Sequence, residues 1–91
     1  MNNYTIELLT IQGCKACEVL RNIITNALNI STKDINFVIK DMSKVDLKEL
    51  KALQITDFPT TRFIKDNKEV YRMVGTNPVA VIVRYIDVNF R

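Results

Sequence analysis

Apolar and polar positions along the chain change period several times. Residues 4–11 read Y-T-I-E-L-L-T-I, rich in β-branched and aromatic types, and stop at the turn signal Gln12-Gly13. They predict a first strand, buried on both faces for much of its length. From Cys14 the spacing becomes helical: Cys17, Leu20, Ile23, Ile24, Ala27 and Leu28 share one face, while Lys15, Glu18, Arg21 and Asn26 face away. This first helix gives out in the polar stretch from Asn29 to Asp34, and a second strand is predicted from Ile35 to Lys40.

Ser43, three residues before Asp46, reads as a capping-box-like start to a second helix with an apolar stripe of Leu47, Leu50 and Leu53. A break at Thr56-Asp57-Phe58-Pro59 precedes a third strand, Thr60 to Ile64. Lys65-Asp66-Asn67-Lys68 has the composition of a hairpin turn, and Glu69 to Val74 completes the hairpin. Gly75 closes that strand. Thr76-Asn77 supplies an N-cap and Pro78 a first helical position. The last segment, Val79 to Phe90, is rich in strand-favouring valine and isoleucine. Val79, Ile82, Tyr85, Ile86 and Phe90 nevertheless fit one helical face, and a helix is expected.

The order is β-α-β-α-β-β-α. Strands joined by a crossover helix pair in parallel, right-handed, and the last two strands form an antiparallel hairpin. The expected architecture is an α/β fold with a four-stranded mixed sheet, ordered 2-1-3-4 and covered by helices on both faces. At 91 residues the chain reads as one domain, 1–91.

Composition narrows the classes. With 47% hydrophobic and 25% charged residues the chain resembles an ordinary globular protein. Its net charge of +3 is spread out. Lys44, Lys48 and Lys51, the nearest approach to a cluster, fall on a predicted helix face among Asp46 and Glu49, which reads as a solvated face. Nucleic-acid binding is not expected. No apolar run approaches the ~18 residues of a membrane span, and the start has neither a basic n-region nor a cleavage site. A cytoplasmic location, no membrane association and a monomeric state are expected.

The only two cysteines, Cys14 and Cys17, lie in I-Q-G-C-K-A-C. Their spacing fits a zinc half-site, a structural staple or a redox dithiol. A closed zinc site needs four ligands, and the chain has no histidine. A site shared across a dimer or completed by carboxylates stays open. A disulfide closing so short a loop is worth about 2 kcal/mol by loop entropy, against roughly 3 for a fifteen-residue loop, so a staple gains little. Position favours redox chemistry. Cys14 stands at the start of a helix, where unpaired N–H groups and a partial positive charge stabilise a thiolate. A cysteine pKa of ~8.5 falls to ~7 or lower in such places, and Lys15 should push the same way. Cys17 lies one turn on, facing inward, as a resolving thiol would.

C-K-A-C at a strand-to-helix junction, D-F-P-T-T before a hairpin and M-V-G ahead of the last helix resemble the thioredoxin superfamily. The likeness covers nearly the whole chain, in a compact form without an extra N-terminal strand and helix. It implies a nucleophilic Cys14, a resolving Cys17 and a cis peptide bond before Pro59. It further implies that the backbone of Phe58 pairs with substrate polypeptide and that Gly75 lets substrate approach closely.

Three features depart from the family. Gly13 stands where thioredoxins usually carry tryptophan, and the dipeptide between the cysteines is Lys-Ala. An ungapped match puts Leu8 where the family has a buried acid. Glu7, one residue off, could replace that acid only if the strand slips.

The resemblance implies a thiol-disulfide oxidoreductase acting on protein disulfides. It needs no metal or organic cofactor, and a reductase or glutathione is its electron donor. A glutathione-dependent glutaredoxin, and a protein-binding module with an idle dithiol, are the alternatives.

Overall fold

The computed structural model describes residues 3–91, so Met1 and Asn2 of the expected domain lie outside the described residues. Its elements run β1 (Tyr4–Thr10), α1 (Lys15–Ile30), β2 (Ile35–Asp41), α2 (Leu47–Ala52), β3 (Thr60–Lys65), β4 (Lys68–Val74) and α3 (Val79–Asn89). The strands form one mixed sheet in the order β2-β1-β3-β4, as expected. β1 pairs with β2 in parallel and with β3 antiparallel, and β3 and β4 form the antiparallel hairpin.

Successive strand residues point to opposite faces, and β1 uses both. Ile6 and Leu8 are fully buried in the main core with Leu20, Ile24 and Ala27 of α1, Phe63 and Met73 of the hairpin, and Ile82 and Ile86 of α3. Leu9 points the other way, into a smaller cluster with Met42 and Ile55 against which Leu50 and Leu53 pack. Helices therefore cover both faces: α1 and α3 one, the short α2 the other. Each fully buried aliphatic or aromatic side chain contributes about 1.5–3 kcal/mol through the water it no longer touches.

α3 shows tertiary packing overriding propensity. Its β-branched residues cost a few tenths of a kcal/mol each in a helix, about 0.5 on common scales. Ile82, Ile86 and Phe90 are all 0% exposed, so burial outweighs that cost. The hairpin turn contracts to Asp66-Asn67, both with positive φ (52° and 68°), the two-residue connection whose twist suits adjoining strands.

Three expectations about caps and faces need correction. Asp46, not Ser43, caps α2, accepting a hydrogen bond from the Lys48 amide at 3.1 Å. The Ser43 hydroxyl instead accepts one from the Gln12 amide at 2.8 Å, tying the loop after β2 to the one after β1. With the helix starting later, Lys44 falls outside it, and Leu47 is 64% exposed rather than part of an apolar stripe. At α3, Pro78 is itself the N-cap, with no side-chain cap from Thr76 or Asn77.

On the α2 face, register aligns Glu7, Arg62 and Arg72 across β1, β3 and β4. The Arg62 guanidinium reaches Glu7 at 2.7 Å and Glu69 at 2.6 Å, and Arg72 reaches Glu69 at 2.8 Å. Arg72 also donates to the Gln54 carbonyl at 3.0 Å, fastening the end of α2 to the sheet. Burial raises the Glu69 carboxyl pKa, but hydrogen bonds from Arg72 and Arg62 outweigh it and hold the group below its usual range.

Candidate active site

The route from β1 to α1 is a left-handed turn. Gly13 has φ +76°, a conformation that side-chain-bearing residues rarely adopt, and an added Cβ would meet nothing within 4 Å. Torsion rather than crowding explains glycine here. Cys14 follows as the N-cap of α1, and its sulfur accepts a hydrogen bond from the Cys17 amide at 3.1 Å. The first-turn N–H that a thiolate needs is thus already aimed at that sulfur.

Cys14 and Cys17 are joined in a disulfide with Cα atoms 5.2 Å apart. Cys14 is half-buried at the mouth of the site, whereas Cys17 is 4% exposed. Lys15, the first residue of α1, is exposed beside them.

Topology brings the remaining sequence-derived residues to the same end of the sheet. Thr60, which opens β3, pairs with Leu9 near the end of β1 and with Val74 at the end of β4. Pro59 and Gly75 therefore flank that end, joined by a 2.9 Å hydrogen bond from the Gly75 amide to the Pro59 carbonyl. The Phe58–Pro59 peptide bond is cis. The Phe58 side chain is half-buried, packed on the cluster of Leu9, Met42 and Ile55. Gly75 has φ +80° with open space around it, so backbone torsion is again what asks for glycine.

The idea that Glu7 replaces a buried acid does not survive the register. Leu8 faces the dithiol side and is fully buried, while Glu7 lies on the opposite face, held by Arg62. Directly across from Leu8, the buried Thr61 hydroxyl has no hydrogen-bond partner among the described residues.

Sequence reasoning overlooked a cleft of about 190 Å³ on the α1 side of the dithiol. Leu8, Cys14, Cys17, Glu18, Arg21 and Ile39 line it, with Thr10 to Gly13. Glu18 and Arg21, expected only to face away, form its polar wall. Their spacing was the available signal, since each stands four residues after a cysteine and so on the same helix flank. Among the described residues, no group of three or more potential ligands is placed to hold a metal, and no helix is long and apolar enough to cross a membrane.

The four-stranded mixed sheet with its three helices is a fold shared with solved proteins. Thioredoxin-2, a component of the malaria parasite's protein secretion machinery, superimposes with a TM-score of 0.82 at 15% identity, covering 96% of this chain and 84% of that one. Reduced Schistosoma mansoni thioredoxin gives 0.78 at 20% identity, covering 97% and 80%. Oxidised Arabidopsis thaliana thioredoxin O2 gives 0.77 at 18%, covering 98% and 76%. No family model matches the chain, and no curated protein matches its sequence. The chain has the thioredoxin fold.

Proposed function

We propose that this protein is a thiol-disulfide oxidoreductase acting on protein disulfides. The observation that carries the reading is the asymmetric dithiol: a half-buried Cys14 sulfur receiving a helix N-terminal amide, joined to a Cys17 shielded from solvent. In the reduced protein Cys14, as thiolate, attacks a substrate disulfide and forms a mixed disulfide. Cys17 then attacks Cys14, the substrate thiolate leaves, and the two protein sulfurs end oxidised. Lys15 tunes the Cys14 thiolate electrostatically. The Phe58–Pro59 backbone pairs with the substrate chain, and Gly75 leaves room for its approach.

The reaction so written takes its electrons from the dithiol and needs no metal or organic cofactor. Either a reductase or glutathione restores it, in the cytoplasm. Reduction of insulin by dithiothreitol tests the reading. The wild type should accelerate insulin precipitation, and Cys14→Ser should fall to the uncatalysed rate. Equal rates for the two proteins would exclude dithiol catalysis.

A further inference from the structure

When the dithiol is reduced, Cys17 carries a proton that has to leave before its sulfur can attack. Cys17 is 4% exposed, and apolar burial favours the neutral thiol over the thiolate. The helix N-terminus does not solve this, because its amide is aimed at Cys14. A base within reach of the shielded sulfur would.

The cleft beside the dithiol is where such a base would stand. Of the residues lining it, Glu18 is the single carboxylate. It follows Cys17 directly and stands four residues after Cys14, with its own amide hydrogen-bonded to the Cys14 carbonyl at 3.4 Å. The chain's other glutamates, Glu7, Glu49 and Glu69, are all engaged in ion pairs. Among the described residues Glu18 is in none. Thr10, Gln12 and Arg21 add polar groups to a wall they share with Leu8, Ile11 and Ile39, so water in the open cleft has partners along which a proton can pass.

We propose that Glu18 is the proton acceptor for the resolving thiol, a role that rests on the oxidoreductase reading above. The carboxylate takes the Cys17 proton across the cleft. The Cys17 thiolate attacks Cys14 of the mixed disulfide, and the bond between Cys14 and the substrate sulfur breaks. That sulfur leaves with the bonding electron pair and receives the proton from Glu18. The Cys14–Cys17 pair is oxidised, the substrate is reduced, and Glu18 is again a carboxylate.

Equimolar dithiobis(nitrobenzoate) added to the reduced protein separates the two steps in a stopped-flow instrument. Attack by Cys14 releases one coloured thiolate and attack by Cys17 releases the second, so Cys17→Ser should show the first release alone. Glu18→Gln should slow the second release relative to the first by on the order of 10-fold, at the low end for general base catalysis, and move its pH midpoint upward. Glu18→Asp should restore much of the rate. If Glu18→Gln leaves the second release and its pH profile unchanged, the proposal fails while the dithiol reading stands. A faster second release would mean that Glu18 acts only by repelling thiolates, and overturns it equally. A wild-type protein with no second release would instead overturn the oxidoreductase reading itself, and this one with it.

Discussion

Cys14 owes its setting to its near neighbours. Gly13 turns the chain at φ +76°, and the Cys17 amide donates to the Cys14 sulfur at 3.1 Å. Lys15, exposed at the first helical position, is the next residue along the chain and brings a positive charge to the same helix end. Reversing it in Lys15→Glu should raise the Cys14 pKa by about 0.5–1 unit at low ionic strength and by less in salt. Thiolate absorbance in the ultraviolet measures this, and an unchanged value would remove Lys15 from the site.

Legibility at this scale was uneven. The cysteines could be read from their place at a helix start together with the lack of other metal ligands, and Pro59 through the family resemblance, whereas the cysteine spacing alone left three chemistries open. Gly75 and Gly13 were visible as glycines, but the positive φ that demands them was not. Glu7 and Leu8 were ambiguous until register assigned each to a face, since a one-residue slip exchanges them. Glu18 was hidden because exposure and helical spacing alone describe an ordinary solvated position.

Secondary-structure elements were the most legible level, because burial imposes a period on each. The helical period of α3 prevailed over its valines and isoleucines, with Ile82 and Ile86 landing in the core. The caps were less legible. Ser43 has the right chemistry for an N-cap but spends its hydroxyl on Gln12, leaving Asp46 to start α2.

Nor does strand periodicity show which charges meet across a sheet. Arg62, 19% exposed, holds both Glu7 and Glu69, so Arg62→Met leaves the poorly solvated Glu7 carboxylate unpaired and Glu69 with Arg72 alone. The expected loss is about 2 kcal/mol in urea unfolding at neutral pH, below the ~3–5 for a fully buried pair because these groups retain some solvent. The acid limb should change too. The folded-state pKa of Glu69 is depressed below its ordinary value of 4.5. Its contribution is therefore complete above that value and lost as pH falls through the lower folded-state value. Stability measured between pH ~5 and ~2 should drop less steeply in Glu69→Gln than in the wild type. Parallel slopes would mean the carboxyl is not held by its arginines.

Across the whole molecule, chemistry and ring packing sit at opposite ends of the sheet. Cys14 comes four residues after Thr10, the last of β1, whereas Tyr4, the first, stacks on Phe90 with ring centroids 4.7 Å apart. Phe63 packs edge-on against Tyr71 and Tyr85, and those two rings lie 4.7 Å from each other. Seven strand residues at ~3.3 Å each separate the ends of β1 by roughly 20 Å. The chain contains three tyrosines and no tryptophan, so all of its tyrosine emission comes from this distant ring cluster. Tyrosine emission of the native protein should therefore be the same with the dithiol oxidised or reduced. It should change sharply when urea separates Tyr4 from Phe90. A native-state emission change on reduction would show that the dithiol is coupled to the far end of the sheet. In optical terms the protein carries a lamp that reports whether it is folded and stays dark to its redox state. Unfolding can then be followed by light, with the electrons counted independently by thiol titration.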